Sequence, residues 1–170
     1  MNLYEHQSTF NPNMPVRGLM YFSKLYEKYI VTNGIDIYTS TPKKLPFPQY
    51  FVFYNGTMDE PDRSELKLTD LLDMPASPKT SCLECIAIML NINYGHNKVL
   101  MEKCRRLKEY AIFVDAVRKG LSAGAPLEQS LSHAVDSCID NDILKDILIK
   151  QKVEVIQMIL ETYDKELHDK

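Results

Sequence analysis

The first residues of the chain carry the side chains best suited to chemistry. Residues 2–9 alternate in the manner of a β-strand, and a strand projects residues i and i+2 to the same side. Glu5 and Gln7 therefore share one face, whereas Tyr4 and His6 lie on the other. An acidic residue and an amide at this E-x-Q spacing can form one half of a metal-binding nuclease centre, whereas such a pair taken alone is more often the solvated edge of a strand. The sequence offers no recognisable second half.

The composition is that of an ordinary globular protein. The 170 residues are 45% hydrophobic and 25% charged, and no apolar run is long enough for a membrane span or a secretory leader. We therefore expect a cytoplasmic protein that does not enter membranes. The formal net charge of -3 gives no global attraction to nucleic acid, so any contact with DNA would need a local basic patch.

The element after the first strand is predicted to be a helix from Met14 to Thr32. Asn13 is a suitable N-cap, Pro15 is tolerated in the first turn, and apolar residues recur at steps of three and four. The pair Asn33-Gly34 is a typical helix end. A strand, a turn and an amphipathic helix thus open the chain.

Three further strands are predicted in the first half of the chain. Prolines in residues 40–48 favour an extended connector, which leads into a buried central strand over residues 49–54. Residues 65–68 alternate like a half-exposed strand, and residues 83–92 form a strong apolar element. Together with the first helix they predict an α/β core over residues 1–96.

Helical periods dominate residues 97–170. One helix is predicted from Asn97 to just before Gly120, a second over residues 127–138, and a third from Leu144 to Leu167. The last helix either folds back on the sheet or pairs with its copy in a second subunit, and its length favours the dimer. The dimer seam would contain Ile147, Val155 and Ile159.

The four cysteines fall in segments that resemble buried strand or helix, so we expect reduced core thiols. Cys82 and Cys85 have the spacing of half a zinc site. No second pair and no histidine cluster accompanies them, which favours a reading without zinc.

Five motifs, taken in order, resemble the Rpn-type PD-(D/E)XK nuclease and transposase family. They cover nearly the whole chain and comprise Leu3–Ser8, Asn11–Pro15 with Arg17 close behind, Tyr50–Gly56, Asn91–Asn97 and Leu107–Tyr110. The resemblance implies a restriction-endonuclease-like α/β core that lacks its first elements, followed by a helical C-terminal region.

The resemblance also implies a magnesium-dependent DNA endonuclease site. In the family, an acidic residue on one strand and an acidic-x-Lys pair on the next strand bind Mg²⁺, and Glu5 and Gln7 match the second part. Glu5 would ligate the metal, which presents a water to the scissile phosphate, and Gln7 would orient that water. A neutral amide cannot offset developing negative charge as lysine does, but it still forms hydrogen bonds.

One departure from the family pattern weakens this site. The metal-binding Asp lies one strand upstream in the family, and no residue of this chain matches it. We therefore expect an N-terminally truncated form that binds Mg²⁺ weakly or not at all and has little nuclease activity alone. The strand that carries Glu5 would then have an open edge, which favours a homodimer or association with a longer family member.

Basic residues in the first half are candidates for phosphate contacts. The predicted DNA-binding residues are Arg17, Lys24, Lys28, Lys43 and Lys44. The alternative is that they form ordinary solvated surfaces, which is the commoner role of charged helix faces.

Three functions remain open at this point. The leading one is the weakened nuclease relative. The second is an interaction protein, an antitoxin-like short form that binds and inhibits a full-length family nuclease. The third is an intact endonuclease that uses a substitute carboxylate, such as Asp36 or Asp59.

Overall fold

The structure is a computed structural model that describes residues 1–73 and 80–150. Within these ranges the chain is mixed α/β, as predicted, with one four-stranded sheet and several helices. It divides into two compact units, Met1–Asn91 and Ile92–Lys170. No helix in the described ranges is both long and apolar enough to cross a membrane.

The N-terminal unit is built on a mixed sheet with strand order β1-β2-β4-β3. The strands are β1 (Asn2–Gln7), β2 (Gln49–Tyr54), β3 (Arg63–Lys67) and β4 (Ile86–Asn91). β1 and β4 flank β2 in parallel, and β3 pairs with β4 in antiparallel fashion. The prediction of β2 as a central strand is confirmed. β1 lies at one edge of the sheet.

Helix α1 (Met14–Thr32) connects β1 to β2 and covers one face of the sheet. Its predicted bounds are confirmed, and Gly34 follows its end with a φ of +60°. Asn13 occupies the N-cap position without a side-chain cap hydrogen bond. Instead, the Asn13 backbone N–H donates to Oδ1 of Asn11 at 2.9 Å, so a side chain two residues before the N-cap fixes the entry to the helix.

The core of this unit lies between α1 and the sheet. Its buried members are Met14, Phe22, Tyr50, Val52, Tyr54, Ala87 and Met89. Glu5 and Gln7 are half-buried on this face of β1, while Tyr4 and His6 are exposed on the other, which confirms the predicted alternation. The ring of Tyr4 stacks on Phe51 with centroids 5.7 Å apart.

The C-terminal unit contains α2 (Lys98–Lys103), α3 (Arg105–Ser122) and α4 (Leu127–Asp140). The prediction of one helix from Asn97 to Gly120 is wrong, because Cys104 leaves the helical region with φ −127° and ψ 86°. The Cys104 N–H still bonds to Leu100, and its carbonyl accepts the N–H of Lys108, so the two helices meet at one residue.

Helix α4 agrees with the prediction for residues 127–138 and packs on α3. The buried cluster between them contains Phe113, Val117, Leu131, Ala134, Val135, Cys138, Leu144 and Leu148. Residues 145–150 are helical. Of the predicted dimer seam, Ile147 lies in this segment, whereas Val155 and Ile159 fall outside the described residues.

All four cysteines are free thiols. Cys138 is buried, but Cys82 and Cys104 are exposed, so the prediction of core thiols is wrong for these two. Cys82 lies in irregular chain before β4, and Cys104 lies at the break between α2 and α3. Neither position belongs to the regular elements that the apolar pattern indicated.

Candidate functional site

Both carboxylate oxygens of Glu5 are already bound by other side chains. Nη2 of Arg17 donates to Oε1 at 2.6 Å, and the hydroxyl of Tyr50 donates to Oε2. The Glu5 side chain is 15% exposed and that of Arg17 is 38% exposed. These contacts, which we call the Glu5 network, join β1, α1 and β2.

Helix α1 contributes Arg17 to the network and also Tyr21, which lies one turn later and orients Arg17. Arg17 is in the first turn of α1, and its Nη2 also donates to the hydroxyl of Tyr21 at 3.3 Å. The Tyr21 ring centroid lies 6.0 Å from the guanidinium carbon, so ring and hydroxyl both hold the cation in place. The guanidinium is therefore oriented before it meets Glu5.

Tyr50 reaches Glu5 because α1 has a glycine where the two elements meet. A Cβ placed on Gly18 would lie 2.5 Å from Cε1 of Tyr50, so any side chain at this position would force the ring or the helix to shift. The missing side chain lets the Tyr50 ring lie against the helix backbone. In the β1–β2 register, Glu5 lies opposite Val52. Tyr50 is two residues before Val52 on β2, so its side chain lies on the same face of the sheet as Glu5.

The protonation of the network is fixed by its surroundings. Burial, the hydrogen bond to Glu5 and the Glu5 charge together raise the pKa of Tyr50 far above its usual value. The hydrogen bond to Tyr21 raises the pKa of Arg17, and the Glu5 charge adds to this against the opposing effect of burial. Tyr50 and Arg17 are thus permanent donors, and both are committed to the Glu5 carboxylate.

This arrangement opposes magnesium binding at Glu5. Each carboxylate oxygen keeps a second lone pair, but the Arg17 guanidinium, 2.6 Å from Oε1, already offsets the negative charge that would attract Mg²⁺ and repels a second cation. Over residues 1–73 and 80–150, no group of three or more His, Cys, Asp or Glu side chains could hold a metal ion. Of the two substitute carboxylates, Asp36 accepts the Tyr38 N–H in the turn after α1, and Asp59 is exposed in the loop after β2.

Gln7 lies beside Glu5 at the end of β1. It is half-buried, and its backbone carbonyl accepts the Asn55 N–H at 3.0 Å, which continues the β1–β2 ladder. Its side chain makes no hydrogen bond to any described residue. The amide is thus available to a ligand on the same face as Glu5.

The predicted DNA-binding residues separate into two groups. Arg17 is bound to Glu5, while Lys24 and Lys28 are exposed on α1 and Lys43 and Lys44 are exposed in the connector to β2. These four lysines form no ion pair in the described part of the chain. They present positive charge to solvent, whereas the charge of Arg17 is directed inward.

Tyr50 and Tyr21 are the site residues that sequence reasoning missed. Two signals were present. Arg17 and Tyr21 are four residues apart on a predicted helix, and Tyr50 shares a strand face with Val52 and Tyr54. Neither signal reveals that both side chains point to Glu5, because that depends on where α1 crosses the sheet.

Chemically, the Glu5 network is a closed set of donors and acceptors, with one free amide beside it. It can hold α1 on the sheet, and the remaining Arg17 N–H groups can still donate hydrogen bonds to an acceptor such as an anion. Comparisons with protein-family models, with curated proteins and with solved structures found no match to this chain.

Proposed function

We propose that this chain is a relative of the Rpn-type PD-(D/E)XK nucleases in which Glu5 has a structural role, so that the chain alone has weak or no nuclease activity. The N-terminal unit is, in this proposal, a restriction-endonuclease-like core that contains the E-x-Q strand of the site. The observation that carries the proposal is the engagement of both Glu5 oxygens by Arg17 and Tyr50.

The free energy needed to open the network supports this assignment. A hydrogen bond to a buried charged acceptor is worth about 1.5–3 kcal/mol, and a partly exposed ion pair about 0.2–1 kcal/mol. A metal that displaces Tyr50 and Arg17 from Glu5 must overcome roughly 2–4 kcal/mol. That penalty weakens its dissociation constant by about 30- to 1000-fold.

A cleavage assay tests the proposal. Purified chain, the Glu5→Ala variant and a Glu65→Ala control are incubated with supercoiled DNA and either Mg²⁺ or Mn²⁺. Glu65 is a suitable control because it also pairs with an arginine, Arg63, at 2.8 Å but on the exposed side of β3. We expect no difference among the three proteins. Cleavage by the unmodified chain that Glu5→Ala abolishes would overturn the proposal.

A second candidate is favoured by the open edge of β1. In this candidate function the chain is an interaction protein that binds a longer family member by strand addition and inhibits it. β1 pairs with β2 alone among the described strands. The carbonyls of Met1 and Gln7 accept N–H groups from β2 and its flanking residue, so alternation directs the backbone of Tyr4 to the open edge.

A proline at position 4 tests strand addition directly. Tyr4→Pro removes an N–H on the open edge and leaves the β1–β2 hydrogen bonds in place. Tyr4→Ala is the matched control, because it removes the same ring and keeps the N–H. Association with the longer member, measured by light scattering, and suppression of its DNA cleavage should both fail in Tyr4→Pro and persist in Tyr4→Ala. No affinity of the unmodified chain for the longer member would exclude this function.

A further inference from the structure

A second candidate site lies in the C-terminal unit. Residues 93–97, α2 and the start of α3 surround an open cavity of about 220 Å³, lined chiefly by Tyr94, His96, Lys98, Met101, Glu102 and Lys108. This volume is smaller than the roughly 300 Å³ of typical small-molecule pockets, so it suits one group of a larger ligand.

The charge of the cavity is positive. Lys98 and Lys108 are exposed and form no ion pair within the described ranges, and Glu102 is the single acidic residue of the lining. Arg105 and Arg106 lie in the same stretch but pair with Glu109, Asp142 and Asp146. The net positive charge of the lining therefore comes from Lys98 and Lys108.

An exposed aromatic ring stands at the mouth of the cavity. Tyr94 is 56% exposed, and Nζ of Lys119 lies 5.8 Å from its ring centroid. Lys119 is itself held by Asp115 at 2.7 Å. The ring therefore has a cation held over one face, while more than half of the residue is open to solvent.

The turn that carries Tyr94 is held by a hydrogen bond to α3 and by its own tight backbone. Nη1 of Arg118 donates to Oδ1 of Asn93 at 2.6 Å, which anchors the residue before Tyr94 to α3. Gly95 and Asn97 both have left-handed backbone, with φ values of +95° and +42°. Anchored on one side and tightly turned on the other, Tyr94 is held in place before any ligand arrives, which limits the entropy that binding must overcome.

We propose that this cavity binds a nucleoside phosphate, with the base stacked on Tyr94 and the phosphate held by Lys98 and Lys108. Stacking on aromatic side chains combined with nearby cations is how proteins bind nucleotides without reading their sequence. A simple anion would make no contact with the exposed Tyr94 ring, and an apolar ligand would leave the charges of Lys98 and Lys108 without a partner in the cavity. The source is either a free mononucleotide or one nucleotide of a single strand. This inference is independent of the function proposed for the N-terminal unit.

Fluorescence anisotropy of the full chain with a labelled single-stranded oligothymidylate tests the proposal, with AMP and inorganic phosphate as competitors. Tyr94→Ala should weaken oligonucleotide binding by about 5- to 150-fold, while Tyr94→Phe keeps it. The double variant Lys98→Gln/Lys108→Gln should reduce the slope of log affinity against log salt by about 1.4. Lys67→Gln/Lys150→Gln makes the same change in charge at two exposed lysines outside the cavity lining and should leave binding as it is.

The competitors identify the source of the ligand. Displacement of the oligonucleotide by AMP indicates a free nucleotide site, and oligonucleotide binding that AMP does not displace indicates a single-strand site. Three results would overturn the proposal: no binding of either ligand, displacement of the oligonucleotide by inorganic phosphate as effective as that by AMP, or a loss of binding in the Lys67/Lys150 double variant as large as that in the cavity double variant.

Discussion

Removal of the Glu5 carboxylate should reveal whether it serves structure or metal binding. In Glu5→Ala, the Tyr50 hydroxyl loses its charged acceptor while its residue remains 2% exposed, and Arg17 loses its ion pair. The first loss costs about 1.5–3 kcal/mol and the second, which is partly solvated, about 0.2–1 kcal/mol. We therefore expect Glu5→Ala to lower the free energy of unfolding by roughly 2–4 kcal/mol.

Thermal unfolding followed by circular dichroism measures this change. For a chain of this length, 1 kcal/mol corresponds to about 2–4 °C, so the midpoint should fall by about 4–16 °C. Glu65→Ala serves as the control, since it also breaks an arginine pair but on an exposed surface, where the expected loss is below about 1 kcal/mol.

The two roles of Glu5 predict opposite results. A carboxylate kept for metal binding is commonly a source of instability, so its removal would leave the midpoint unchanged or raise it. Saturating Mg²⁺ would also raise the midpoint of the unmodified chain, because a ligand that binds the native state stabilises it. A Glu5→Ala loss no greater than that of Glu65→Ala, or a midpoint that rises with Mg²⁺ only when Glu5 is present, would refute the structural role.

Three further substitutions test the packing and charges around these sites. Because the folded chain keeps the proton of Tyr50 while the unfolded chain loses it near pH 10, stability should fall above pH 10, and Tyr50→Phe should reduce that slope by about 1.4 kcal/mol per pH unit in alkaline urea titrations. Burial opposes ionisation of Glu109, but hydrogen bonds from Arg105 and the Leu144 N–H outweigh it and lower the pKa of Glu109. The stabilisation that this carboxylate contributes is therefore present above about pH 4.3 and is lost as the pH falls. Glu109→Gln should flatten the acid side of a plot of the urea unfolding midpoint against pH. Gly18→Ala should destabilise the fold by about 1–3 kcal/mol through overpacking, offset by roughly 1 kcal/mol of gained helix propensity. In a Tyr50→Ala background, where the ring is gone, the same change should stabilise the fold. Urea unfolding of the four proteins of this double-mutant cycle measures both effects.

The elements that sequence predicted correctly are those with local signals. Pro15 and Gly34 mark the ends of α1, and the aromatic run that ends at Tyr54 marks β2. The break at Cys104 was missed because Leu100, Cys104 and Leu107 keep the helical spacing across it. Two helices joined at a single non-helical residue produce nearly the same apolar pattern as one long helix.

The site was predictable only in part, for a related reason. The shared face of Glu5 and Gln7 follows from the period of a strand, and the structure confirms it. The partners of Glu5 are 12 and 45 residues away, at Arg17 and Tyr50. Their approach depends on the β1–β2 register and on the close packing at Gly18, and neither is a property of a short stretch of sequence.

A half-buried carboxylate needs compensating charge and donors, and this requirement links the fold to the proposed loss of activity. Arg17 supplies the charge and Tyr50 supplies the second donor, so Glu5 is satisfied without any ligand. A guanidinium cannot act as a Lewis acid or lower the pKa of a bound water, whatever its charge. A metal at Glu5 would therefore compete with the contacts that hold α1 on the sheet, so a variant that gains metal affinity by losing Arg17 or Tyr50 should also lose stability.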